Sequence, residues 1–511
     1  MKIFLKSRLV QCLLVIICTL YVGCKKSDPG PQVTTVSKQF NLISKSNPSI
    51  NGTVTFAKRD DAATLVTIQL KGTTAGATHP AHIHANTAAE GGNIILDLTN
   101  VDGASGKSET VVKTLKDGSL VTYEQLININ GYVNVHFSST DLATLIAQGD
   151  VGQNELTITN KVYTLKSVSN VAISGTATLT KRVSGKALVT IALTGTTPGV
   201  SSVAHIHANT VAETGAAVVD LTSVNGATGK SETSINSLNT GTAISYDELL
   251  NFNGYINVHE SATNLSTLIA EGDIGRNELT NTSKTYPLSA VSNPAISGTA
   301  KFTRRVSGET LVSISLSGTT AGVTSPAHIH LNSVAIGGGI AIDLTSVNGA
   351  TGKSETSVKR LNDGSAITYE GLLNFNGYIN VHESASNMAT LIAQGNIGSN
   401  EGAPSVVNYS VVNAGASSYV FSGGGLTNVN NPGLTLQRGR TYTFNLNSPG
   451  HPFWIKTVQS TGTANAYNDG ITNNGASSGV ISFTVPSSAP NTLFYICEFH
   501  TSMAGTITIT N

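Results

Sequence analysis

The chain has 511 residues, 39% of them hydrophobic and 12% charged, with 30 basic residues balanced by 30 acidic ones. That length gives room for roughly three or four domains. The even balance leaves no clustered Lys/Arg footprint, so nucleic acid is not expected as a partner.

In chain order, the first element is an export segment. Lys2, Lys6 and Arg8 lead into an apolar run from Leu9 to Val22. A membrane span needs about 20 residues, so this run is too short for one. A basic start, a short apolar stretch and a small residue before Cys24 predict a signal peptide over 1–23. Leu20-Tyr21-Val22-Gly23-Cys24 resembles a bacterial lipobox, with Tyr21 in place of the usual Leu. The resemblance implies that Cys24 is lipidated and that the chain is tethered to a membrane of the bacterial cell envelope: outer membrane, periplasm or cell surface. A Pro/Gly/Thr-rich linker follows over 24–38.

Cysteine usage is sparse: Cys12, Cys18, Cys24 and Cys497. After processing, Cys497 is the remaining thiol and no disulfide forms within the chain. Each exported domain must then rest on its own core, for which about 120 residues suffice.

A repeat of 123 residues follows. Ala81-His82-Ile83-His84 returns as Ala204-His205-Ile206-His207 and Ala327-His328-Ile329-His330. A third histidine, His136, His259 or His382, lies 52 residues after each pair. His79 is extra in the first copy, where the others have Ser202 and Ser325. The self-alignment needs no gaps: Ile50 maps to Ile173 and Ile296, and Tyr163 to Tyr286 and Tyr409. Solenoid repeats have periods of about 20–50 residues, so each copy reads as a whole domain, over 39–167, 168–290 and 291–411.

Within the second copy, Ile173 to Lys181 and Ala187 to Thr194 flank Arg182-Val183-Ser184-Gly185 and read as a hairpin. Apolar and polar residues alternate with the strand period of two. Leu142 to Gln148, with Ser139, Thr140 and Asp141 before it and Gly149 after it, predicts one brief helix. The same piece recurs at Leu265 to Glu271 and Met388 to Gln394. Many short strands with few helical turns predict an all-β sandwich.

Residues i and i+2 of a strand share a face, so His82 and His84 project together. Asn134 and His136 do the same in Gly131-Tyr132-Val133-Asn134-Val135-His136. If the two strands are neighbours, three imidazoles converge, a donor set that suits zinc or copper better than magnesium or calcium. The candidate ligands are His82, His84 and His136, then His205, His207 and His259, then His328, His330 and His382. A single His-x-His is more often ordinary strand surface. Three copies with one spacing favour a metal site, although duplication also copies passengers. Asp97, Asp220 and Asp343, and Glu109, Glu232 and Glu355, read as structural.

Ala-His-Ile-His, Gly-Tyr-(Val/Ile)-Asn-Val-His and Gly149-Asp150-Val151-Gly152-Gln153-Asn154-Glu155-Leu156 together resemble the chordin-type (CHRD) domain. That implies three tandem Ig-like sandwiches related to copper-zinc superoxide dismutase, in which a His-x-His pair and a distant histidine bind copper. No repeat has a histidine suited to bridge copper and zinc, and none has the dismutase cysteine pair. Chordin-type domains are also associated with protein binding.

The last region, 414–511, carries a different pattern. Tyr419-Val420-Phe421, Leu434-Thr435-Leu436, Tyr442 to Leu446, Ile481 to Val485 and Thr506 to Ile509 alternate as strands of a second sandwich. Gly450-His451-Pro452-Phe453-Trp454 precedes Tyr495-Ile496-Cys497-Glu498-Phe499-His500-Thr501-Ser502-Met503-Ala504-Gly505. Two histidines, a cysteine and a methionine are the donor set of a blue-copper centre. The spacing resembles the cupredoxins, with a short loop most like that of amicyanin. The resemblance implies type 1 copper on His451, Cys497, His500 and Met503. Four protein ligands leave no open position, so one-electron transfer is expected rather than catalysis.

The expected whole is all-β: three superoxide-dismutase-like sandwiches and a cupredoxin sandwich in a copper-binding envelope lipoprotein. Copper is expected at the last site and copper or zinc in the repeats. The redox or protein partner is unspecified. The alternatives are an adhesion scaffold and a superoxide-handling copper enzyme.

Overall fold

The structure is a computed structural model that describes residues 30–401, 406–438, 440–486 and 488–510. Cys24 and the expected signal peptide lie outside the described residues. Among those described, no helix is long and apolar enough to cross a membrane. The chain divides into two compact units, 1–156 and 157–511.

The first unit is one sheet of eight strands. They are β1 (Val33–Ser44), β2 (Asn51–Arg59), β3 (Thr64–Lys71), β4 (Thr78–Ala85), β5 (Ile94–Asp102), β6 (Lys107–Val112), β7 (Asn130–Ser138) and β8 (Asp141–Gly152). Their spatial order is β5-β4-β7-β8-β1-β2-β3-β6. The strands alternate, so one set of side chains meets inside: Phe40, Val54, Phe56, Ile68, Ala81, Ile83, Val133 and Val135 are all buried. A one-turn helix, α1 (Tyr123–Leu126), closes the end of this core with Tyr123 and Leu126. Thr122 and Gln125 form a capping box around it, which is why four residues hold a helical turn.

The second unit repeats this plan twice, and there the eight strands close into barrels. Each barrel has its own buried core. The all-β repeated architecture expected from the sequence is therefore present, with the sandwich layers joined into one continuous sheet.

Two expectations are corrected. The piece Leu142 to Gln148 is part of strand β8, and its copies lie in the strands Asn264–Gly275 and Asn387–Gly398. The polar start is a hairpin turn rather than a helix cap. Ser138 pairs with Asp141, Ser138 Oγ accepts from Asp141 N–H at 3.1 Å, and Asp141 Oδ1 accepts from Thr144 N–H at 3.0 Å. Gly149 does not end a helix; the strand runs on to Gly152, whose φ of +63° and close approach to the Ile129 carbonyl admit no Cβ.

The domain boundaries also move. Leu156–Ser167 and Leu279–Ala290 are the first strands of the second and third barrels, not the last strands of the preceding ones. The three repeats thus run 33–152, 156–275 and 279–398, the second and third beginning one strand earlier than the expected boundaries. The next strand in this series, Val407–Ala414, pairs in parallel with Thr441–Asn447 and opens the C-terminal sandwich. That sandwich therefore starts before 414. Tyr409, which the repeat alignment matched to Tyr163 and Tyr286, belongs to its core.

The C-terminal sandwich has a six-stranded and a four-stranded sheet. Phe453–Lys456 and Thr492–Cys497 are antiparallel neighbours in the smaller one, with Phe453 opposite Cys497. Cys497 and Met503 are fully buried in the core between the sheets.

Candidate metal centres

Ala81 and Ile83 are the inward residues of β4, which turns His82 and His84 to the outer face. Across the β4–β7 pair, His82 is in register with Asn134 and His84 with Tyr132. His136 follows a register shift at Val135. The three rings gather there, with centroids 5.2 Å (His82 to His136), 5.9 Å (His82 to His84) and 6.4 Å (His84 to His136) apart. The second and third repeats reproduce this with His205, His207 and His259 and with His328, His330 and His382. In every cluster one nitrogen from each ring lies within 4.8 Å of the others.

Backbone carbonyls set the tautomers. Nδ1 of His136 donates to Leu142 O at 2.6 Å, and Nδ1 of His84 donates to Gly92 O at 2.9 Å. A carbonyl only accepts, so each Nδ1 carries the proton and each Nε2 keeps its lone pair. The copies match: His259 to Leu265 O and His382 to Met388 O at 2.6 Å, His207 to Gly215 O at 2.9 Å, and His330 to Gly338 O at 3.0 Å. Tyr132, Tyr255 and Tyr378 stack on the second histidine of each pair at 5.0 Å.

The first histidine presents its other nitrogen. Nδ1 of His82, His205 and His328 is buried without a hydrogen-bond partner among the described residues. So is Nε2 of His136, His207, His330 and His382. A buried unpaired polar atom costs about 1–3 kcal/mol, and a cation shared by ring nitrogens within 4.8 Å of one another would offset that cost.

His79 stands outside the cluster. Its Nδ1 donates to Phe137 O at 2.8 Å, the job done by Ser202 Oγ on Glu260 O and Ser325 Oγ on Glu383 O. Asp97, Asp220 and Asp343, read from sequence as structural, approach the first histidine's Nε2 to 3.9, 3.9 and 3.7 Å. Their signal was an outward position on β5, which only the β4–β5 pairing connects to His82.

Burial, and then the neighbouring imidazoles, hold His82, His205 and His328 below the usual histidine range. Burial does the same to His136, His330 and His382. A histidine depressed in the folded state is neutral there while its unfolded counterpart takes a proton. The associated stability is thus present above about pH 6.5 and is lost as pH falls from there through the lower folded-state values. Metal-free protein is expected to show urea midpoints that drop between about pH 7.5 and 5.5. A midpoint constant over this window contradicts the burial of neutral imidazoles.

The fourth cluster is in the C-terminal sandwich. Nδ1 of His451 and Nδ1 of His500 are 3.1 Å apart, and Cys497 Sγ lies 3.8 and 3.5 Å from them. N and S atoms bonded at about 2.0–2.3 Å to one ion, at angles of roughly 100–125°, sit about 3.1–3.8 Å from each other, so these three fit a common centre. Hydrogen bonds fix the loop: Cys497 N–H donates to Met503 O at 2.9 Å, and Met503 N–H to His500 O at 3.2 Å. Tyr419 OH donates to the carbonyls of His451 and Pro452 at 2.9 and 3.0 Å. Burial, and then Cys497 beside it, push the Tyr419 hydroxyl well above its ordinary range, so it stays protonated. Sequence reading missed Tyr419, which is 78 positions before Cys497 and carries no motif.

A cavity of about 570 Å³ lies elsewhere, lined by Ser333, Ile336, Tyr409, Leu434, Gln437 and Tyr442, and none of the clustered histidines reaches it.

No protein-family profile matches this chain, and no curated protein sequence matches it. Among solved structures it is similar to a chain described as "Biofilm associated protein - BSP domain", at 11% identity over 93% of this chain and 96% of that one, with a TM-score of 0.12.

Proposed function

We propose that this chain is a copper-binding protein of the bacterial cell envelope that passes single electrons through its C-terminal sandwich. The convergence of Cys497 Sγ with two imidazole Nδ1 atoms within 3.8 Å carries this reading. His451, Cys497 and His500 would hold the ion, with Met503, buried in the same core, as the fourth and weaker donor. Bound copper supplies one-electron chemistry between its two oxidation states. The protein's part is to keep the thiolate dry, to hold both imidazoles by fixed loops and to leave no position open for substrate. The three trihistidine clusters are read as further copper or zinc sites, with CHRD-like domains as their carriers. Copper-loaded protein is expected to bleach with one electron per chain at the C-terminal site and to recover its colour on reoxidation. Failure of a folded, loaded sample to cycle sinks the electron-transfer reading.

The anchor is proposed from Leu20 to Cys24. Cys24→Ser is expected to move the protein from the membrane fraction to the soluble one. Unchanged membrane association with no lipid on the wild type by mass spectrometry overturns it.

A further inference from the structure

The three trihistidine clusters share their side chains but not the charge around them. In the second repeat His207 is in register with Tyr255, and Tyr255 with Asp273. Asp273 holds the loop after His207 by accepting from Val211 N–H at 2.9 Å. Its other oxygen takes the guanidinium of Arg305 at 2.6 Å. Arg305 comes from the first hairpin of the third repeat and is fully buried, so a cation and a carboxylate cancel beside the second cluster.

In the third repeat the matching residue is Asn396. It holds the equivalent loop through Val334 N–H at 2.7 Å, but it brings no charge. A cation still arrives, this time from the C-terminal sandwich. Arg440 is 8% exposed, lies 5.3 Å over the ring of Tyr378 and donates to Gln394 Oε1 at 3.2 Å. Tyr378 is the ring stacked on His330. Among the described residues no carboxylate is paired with Arg440. A guanidinium stays charged in proteins, so its field acts on the cluster undiminished by any partner.

We propose that Arg440 makes the third trihistidine cluster a weaker site for divalent cations than the second, so that the second fills first. This rests on reading the clusters as metal sites. One unit charge about 10 Å from a divalent ion, at an effective dielectric between protein and water, weakens binding on the order of tenfold.

The test uses the full chain with Cys497→Ser, so that no thiolate competes, and Zn2+ alone as the probe. One protein keeps only the second cluster (His82→Gln and His382→Gln). Another keeps only the third (His82→Gln and His205→Gln). The second is expected to bind about tenfold more tightly. Arg440→Met should tighten the third by about that factor and leave the second unchanged, whereas Arg440→Lys should keep the third weak. Asn396→Asp, which restores the carboxylate found at Asp273 and leaves Arg440 in place, should also tighten it. Equal constants in the two proteins, or a third cluster indifferent to both Arg440→Met and Asn396→Asp, overturn the proposal. Zn2+ binding at neither cluster overturns the metal reading itself, and the proposal with it.

Discussion

Cys497→Ser is expected to abolish the visible absorption of the copper-loaded protein completely. The colour of such a site comes from a copper–thiolate bond, and Cys497 is the one free cysteine among the described residues. The substitution is small and sits in a fully buried position, so the sandwich should keep its fold while losing its only thiol. Met503→Leu separates the two sulfur roles. Leucine fills the same core space, and the backbone bonds of residue 503 to Cys497 and His500 do not depend on its side chain. The colour should persist and the redox potential should shift, because an axial donor tunes such a site rather than making it. A variant with serine at 497 that stays blue contradicts the ligand assignment, as does a colourless Met503→Leu protein that still holds copper.

Changing His205, His207 and His259 together to Ala is expected to remove one equivalent of bound metal and leave the rest. All three lie on the outer face of their barrel, while Ala204, Ile206, Ile256 and Val258 point inward. The second barrel should therefore keep its core, and the first and third clusters should keep their affinity for metal. Equilibrium dialysis of the Cys497→Ser chain should count three equivalents before the change and two after it. A count that does not fall, with native circular dichroism, makes those histidines structural.

Much of this was legible in the sequence, because strand geometry is simple. The two-residue period places His82 and His84 on one face, and the fixed spacing to His136 marks the strand beside them. The hairpin at 173–194 follows from the same alternation. What was not legible depends on context. Leu142 to Gln148 carries apolar residues at helical as well as strand spacing, and only the Ser138–Asp141 turn decides between them. The barrels begin at 156 and 279 because those strands pair forward in the chain, and a repeat of fixed period has no intrinsic starting point. The carbonyls that orient His136 and His84 belong to residues of no distinctive type. Arg440 is invisible as a neighbour of His330, since 110 positions and a domain boundary separate them.

The most direct measurement is metal content per chain, with the visible spectrum taken on the same sample after copper loading and thorough washing. Up to four equivalents are expected, with an intense blue band that belongs to one of them and disappears with Cys497→Ser. A folded chain that retains no copper and shows no colour in excess Cu(II) contradicts that expectation.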